Sequence, residues 1–250
     1  MGDVDETTPR LLVSVSGLTP GAPLDAAVAL ADALDARRVP LTLLVGPQPH
    51  PEVAAWAAAR RRAGDVALLH GTRVDADRGG TKRSGAAAPE AHHLRPYRRL
   101  PAHEAGLRLA AALRARDALG PAVDGFAAPG WSTSPGTRHA LVAAAVGLCL
   151  DDTGVHRLGV GGETVRSWHG PVVTGEPRRS LLTLPARRRP EPDLVHLALT
   201  ARTPAPRAGA LVDAALDGGA TPLAAAELVS RRVPRRPGAA GDPEQWSITA

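Results

Sequence analysis

Lysine, cysteine and aromatic side chains are almost missing from this chain. Among 250 residues there is one lysine, Lys82, and one cysteine, Cys149, while Phe, Trp and Tyr together make up 2%. A single cysteine excludes an internal disulfide and a cysteine-rich zinc site, and Cys149 reads as a small core residue. With so few aromatics, the 44% hydrophobic content must build a core from Ala, Leu and Val. That composition suits helices packed on a parallel sheet better than an aromatic-rich β-sandwich. No segment approaches the roughly eighteen consecutive apolar residues of a membrane span. The first ten residues, MGDVDETTPR, are acidic and lack the basic and apolar regions of a signal peptide. A soluble cytoplasmic protein is expected.

Arginine supplies nearly all the positive charge behind a formal net charge of +5. Its short runs, Arg60 to Arg62, Arg187 to Arg189 and Arg231-Arg232, are scattered along the chain. A nucleic-acid site wants clustered cations with interleaved aromatics, so this pattern reads as solvated faces. An acidic partner bound through an arginine-rich surface is the rival class of function.

What is present alternates in period. LLVSVS (Leu11 to Ser16) is a strand, followed by a helix with Leu24, Val28, Ala31 and Leu34 on one face. LTLLVG (Leu41 to Gly46), PEVAAWAAARRR and DVALLHG continue as strand, helix and strand. Right-handed βαβ units and a parallel sheet follow, with functional groups expected at the strands' carboxyl ends. These ends are Ser16-Gly17, Gly46-Pro47 and His70-Gly71.

Residues 72–100 break the rhythm and read as a long polar loop. A helix from Pro101, a strand DGFAAPGW (Asp124 to Trp131) and a helix N-capped by Ser134 restore it. GLCLDD gives a fifth strand, and residues 153–190 carry few clear elements beyond a possible strand at Ser180 to Leu184. DLVHLALT, a helix at APRAGALVDAALDGG and TPLAAAELV close a domain over 10–230. Residues 1–9 are expected to be flexible and 231–250 disordered. About seven β/α units make a distorted or incomplete (β/α) barrel.

Three stretches in order, VSVSGLTP on strand one, DVALLHGTRV on strand three and FAAPGW on strand four, resemble the polysaccharide-deacetylase-like (NodB-type) superfamily. Its DUF2334 branch is the most similar. The resemblance implies a barrel whose ancestral reaction is metal-assisted hydrolysis of carbohydrate N-acetyl groups. In working relatives an Asp and two His hold a divalent metal, and a second Asp is the general base.

Residue by residue, the match is partial. The acid pair falls on Ser16 and Gly17, the first histidine on His70, and the second, four positions on, at Val74. The resemblance therefore implies ligand positions Gly17, His70 and Val74, of which only His70 carries a donor. No metal or other cofactor is expected unless the site has been rebuilt, and catalysis is expected to be impaired or lost. Where relatives carry a His-Pro pair near the C-terminus, this chain has Thr200 to Arg202. His70 is the candidate catalytic residue; Ser16, Gly71, Pro129, Gly130, Trp131 and Glu104 are the candidate pocket, taking a small carbohydrate or acetamido-sugar.

Other candidates carry less. His103-Glu104 begins a zincin-like pattern, but its second histidine falls on Leu107. His92-His93 would form a lid if they act at all. Asp151-Asp152 follow strand five and would replace the missing acids only if they reached His70; otherwise they cap. GVGGETV (Gly159 to Val165) lacks the P-loop lysine and the third dinucleotide-site glycine, so it reads as a turn. Trp168 could stack on a sugar but has only its aromaticity in favour.

Overall fold

A computed structural model describes residues 8–71, 97–119, 123–159, 161–162, 164–166, 172–173 and 194–230. The expected flexible N-terminus, most of the long loop, Val74, His92-His93, Trp168, the possible strand at Ser180 to Leu184 and the C-terminal tail lie outside these residues. The βα alternation predicted for the N-terminal half is present: β1 (Arg10–Ser16), α1 (Ala22–Asp35), β2 (Leu41–Val45), α2 (Pro51–Arg62), β3 (Val66–His70) and α3 (Ala102–Leu119). It continues through β4 (Gly125–Ala127), a 3-10 turn (Pro129–Trp131), α4 (Pro135–Ala143) and β5 (Leu148–Asp151). β6 (Gly154–Arg157), β7 (Thr164–Arg166) and β8 (Val172–Val173) follow. β9 (Leu194–Thr200), α5 (Ala205–Asp217), β10 (Thr221–Pro222) and α6 (Ala225–Ser230) complete the order.

Strands β1 to β5 lie parallel in sequence order, and β9 pairs parallel with β1 on its other side. The full path is β7-β6-β5-β4-β3-β2-β1-β9-β8, with β10 also on β1. The two outermost strands, β7 and β8, are thus consecutive in the chain. One apolar cluster joins Leu12 of β1, Leu44 of β2, Leu68 of β3, Leu150 of β5, Val155 of β6, Val165 of β7 and Leu194 of β9. Strands at both ends of a flat sheet could not share one cluster, so the sheet curls into a nearly closed barrel. Leu223, Ala225 and Leu228 join the same cluster from the C-terminal segment, and α6 packs on β6 and β7 while β10 pairs with β1.

Side chains alternate across each strand. Leu11, Val13 and Val15 face outward to α1 and α5, meeting Leu30, Leu34, Ala208 and Val212. On α1 the buried face is Ala27, Leu30, Ala31 and Leu34. Leu24 and Val28, expected on it, are only half-buried flanks; the alanines let the helix lie closer to β1 on that side.

Three antiparallel or short strands, β6 to β8, replace the β/α rhythm where few elements were expected. The reason is physical: in β7, TVR, only the central Val165 is buried. β6, GVHR, buries a histidine beside its one branched apolar residue. Neither has the alternation that marks a strand in sequence. Gly159 and Gly161, both at positive φ, sit in the connection between them, where a turn was expected.

The predicted caps are present. Ser134 Oγ accepts from the Thr137 backbone N–H at 2.9 Å, with Pro135 opening α4. Arg60 bridges Asp35 of α1 and the buried Asp65 ahead of β3, at 2.5 and 2.6 Å.

Candidate functional site

The mouth of the barrel collects the strand ends. Ser16 stands level with Thr200, and its hydroxyl donates to the Leu199 carbonyl at 3.3 Å. Gly17 follows at φ +74°, with no atom within 4 Å of where a Cβ would lie. His70 ends β3, level with Ala127 and half-buried. Val66 and Leu68, two and four residues before it, belong to the inner cluster, so alternation turns His70 toward the interior.

Gly71 faces the other way. A Cβ there would lie 2.9 Å from both the Phe126 and Tyr97 rings, which meet edge to face at 5.3 Å on the outer side. Gly71 therefore serves ring packing, while its N–H donates to Ala127 O at 3.1 Å. Glu104 is exposed in the first turn of α3 and pairs with Arg108 one turn later at 2.5 Å. His103 beside it is exposed.

Pro129, Gly130 and Trp131 form a tight turn above β4. Gly130 and Trp131 both have positive φ, +67° and +60°. That conformation is uncommon for a bulky residue and commits the indole to one direction. Trp131 is half-buried against the inner cluster and meets the His196 ring edge to face at 4.9 Å. The expected pocket wall thus turns into the barrel.

His196 was not singled out by the sequence. It sits inside the apolar-looking run DLVHLALT, and only its register gives it away: it pairs with Leu12 on the inner face of β1. It is fully enclosed, and burial pushes its pKa down to about 3, so the ring is neutral. Its Nε2 and Ser14 Oγ share a 2.8 Å hydrogen bond, and its Nδ1 has no protein partner. Thr42 Oγ1, on the strand neighbouring Ser14, is likewise buried without a partner. Among the inner cluster's apolar side chains, the barrel interior thus holds the Ser14 and Thr42 hydroxyls and the neutral His196 ring.

A second polar cluster lies on the outer face around β5. Asp151 is buried and accepts from Thr133 Oγ1, Arg138 Nη2 (2.7 Å) and the Thr153 N–H (2.9 Å). His156 Nε2 lies 2.9 Å from its Oδ1. Burial alone would raise the Asp151 pKa, but hydrogen bonds from His156, Thr133 and Thr153 outweigh it and hold the carboxyl well below its ordinary range. Leu150, not Asp151, is the residue in line with Ala127 and hence His70. Asp151 is thereby committed away from His70. Asp152 accepts from Ser132 Oγ at 3.2 Å and its N–H donates to the Trp131 carbonyl.

Ser16 contributes a hydroxyl already donating to a carbonyl, Gly17 contributes nothing, and His70 is the one strong donor at the three expected positions that fall within the described residues. Among the described residues no three His, Cys, Asp or Glu side chains come together to hold an ion. Two arginines of the first run are paired with acids: Arg60 with Asp35 and Asp65, and Arg61 with Asp124. Among the described residues no helix is long and apolar enough to cross a membrane.

Comparison with solved structures agrees with this architecture. A CE4-family pseudoenzyme from Bacillus anthracis superposes with a TM-score of 0.56 at 12% identity, over 90% of this chain and 66% of that one. The fold is that of the CE4 polysaccharide deacetylases. A polysaccharide deacetylase homologue from Mycobacterium smegmatis, so described only provisionally, gives 0.56 at 14% identity over 92% of each chain. A mutant of the B. anthracis pseudoenzyme with restored enzymatic activity gives 0.57 at 12% identity, covering 90% of this chain and 69% of that one. This chain spans about two thirds of the length of the B. anthracis protein. No family model and no curated protein matches the sequence.

Proposed function

We propose that this chain is a carbohydrate-binding descendant of the polysaccharide deacetylases, of the DUF2334 type, in which metal-assisted amide hydrolysis has been lost. The observation that carries the reading is the exchange of donors on an intact scaffold: Ser16 and Gly17 stand where the acid pair belongs, beside a surviving His70. A serine hydroxyl is a weak cation ligand and no base near neutral pH, and among the described residues no three His, Cys, Asp or Glu side chains come together to hold an ion. What remains suits a neutral polyol. Ser16 and Thr200 offer hydroxyls, and the exposed part of Trp131 offers an apolar surface of the kind sugar faces stack on.

The test uses N-acetylglucosamine oligomers as probe. Titration followed by heteronuclear NMR, with and without chelator, is expected to give saturable binding that chelation leaves unchanged and Trp131→Ala abolishes. No acetate is released when zinc or cobalt is added. Metal-dependent acetate release from the unaltered chain would overturn the loss of catalysis. Absence of binding to any acetamido-sugar oligomer would overturn the carbohydrate reading. The B. anthracis pseudoenzyme, in which mutation restored activity, suggests the complementary experiment: Ser16→Asp with Gly17→Asp and Val74→His is expected to create zinc affinity where the parent has none.

A further inference from the structure

The outer-face cluster at β5 to β7 holds an arrangement that the barrel mouth does not use. Asp151 Oδ1, His156 Nε2, His156 Nδ1 and Thr164 Oγ1 form a line, with contacts of 2.9 Å and 3.0 Å on either side of the ring. Both ends are set by strand pairing. Asp151 and His156 lie across the tight β5–β6 turn, and His156 pairs directly with Thr164 on β7. Asp151 and His156 are buried, whereas Thr164 is exposed on the last described strand of that side of the sheet.

Arg138 Nη2 also stands 3.3 Å from His156 Nε2, beside its 2.7 Å ion pair with Asp151. With Asp151 ionised and able only to accept, the tautomer that serves it carries N–H at Nε2. Thr153 Oγ1, 3.0 Å from the same nitrogen and 2.6 Å from Asp151 Oδ1, closes the ring edge on that side. In that tautomer Nδ1 is bare and accepts from the Thr164 hydroxyl, 3.0 Å away. A hydroxyl donating to a base that is itself oriented by a carboxylate is the signature of an activated nucleophile.

We propose that Thr164 is an acyl-accepting nucleophile, with His156 as its general base and Asp151 as the residue that positions the base, acting on small activated acyl esters. As Thr164 Oγ1 attacks the carbonyl carbon, its proton moves to His156 Nδ1. The tetrahedral adduct collapses by breaking the bond to the leaving alcohol, which takes that proton. The acyl group stays as a threonine ester. Water, deprotonated by the same nitrogen, then cleaves the ester to a carboxylic acid and restores the hydroxyl.

The experiment exposes the full chain to p-nitrophenyl acetate and locates acetyl groups by peptide mass mapping, with the time course read at several pH values. The expected result is an acetyl ester on Thr164 that is retained in Thr164→Ser and absent in Thr164→Ala. Its formation should slow by about 100-fold or more in His156→Gln, the usual scale of general-base assistance. Asp151→Asn, checked for an intact fold by circular dichroism, should shift the pH profile of acylation rather than only its amplitude. Thr164→Ala is exposed and leaves the hairpin's buried groups in place, so it tests the proposal even where the other variants fail to fold. No ester on Thr164, with acetyl groups only on amines or on other side chains, would overturn it. So would an unchanged rate in a folded His156→Gln.

Discussion

Lowering the pH should loosen this barrel through one residue, His196. In the folded chain its ring is enclosed, and burial places its pKa at about 3, against 6.5 for the free side chain. The unfolded chain therefore binds a proton between these values that the folded chain refuses. Stability follows the difference in bound protons, so it is fully present above about pH 6.5 and falls as the pH drops toward 3. The slope approaches roughly 1.4 kcal/mol per pH unit, which gives about 2.5 kcal/mol lost between pH 7 and pH 4.5. The perturbation is His196→Gln, which keeps a polar group for Ser14 and removes the titration. Urea unfolding of both proteins at the two pH values isolates the effect, since every other ionisable group is shared. The parent should lose about 2.5 kcal/mol more than the variant over that interval. Equal losses would refute the argument, as would an NMR titration placing the His196 ring near its ordinary pKa.

Four further outcomes are expected. Ser14→Ala leaves His196 Nε2 buried without its partner and should cost about 1–3 kcal/mol in unfolding free energy. Gly71→Ala forces a methyl group against the Phe126 and Tyr97 rings and should cost about 1–3 kcal/mol, read as a lower thermal midpoint. Asp65→Ala removes the buried carboxylate that Arg60 and the Leu41 N–H both use, and a loss of about 3 kcal/mol should appear in urea titrations. Asp151→Asn should destabilise the chain at neutral pH, with the gap to the parent closing below about pH 4. A carboxyl held low when folded gives stability that is present above its unfolded pKa and is lost as the pH falls through the folded one.

The parallel strands were legible because each is a compact apolar run bounded by Gly or Pro, and α2 and α4 because their caps are local chemistry. His50, Pro51, Ser134 and Pro135 lie next to the turns that they shape. The β6–β8 segment was not legible, since strands of two to four residues with one or two valines have no period to detect and take their pairing from β5 and β9. At the mouth, Ser16, His70 and Trp131 could be placed at strand ends from sequence order alone. Where their side chains turn could not. Trp131 faces inward because two successive residues at positive φ aim it there, and Gly71 faces outward because two distant rings need the space. His196 was missed for a related reason. A histidine in a hydrophobic run looks the same whether it points at helices or at a barrel interior, and only its register with Leu12 separates the two.

The pairing of β1 with β9 has a consequence for how the chain comes to exist. Ser14 and His196, which share a hydrogen bond, are 182 residues apart. During synthesis, therefore, β1 keeps one flank unclaimed until the 182-residue step from Ser14 to His196 has been made. An apolar strand with an open flank invites pairing with other chains, and contacts this remote in sequence form slowly. The vulnerable interval ends only when β9 and then β10 emerge to claim that flank. Truncation before residue 194 should therefore yield insoluble protein rather than a smaller stable domain.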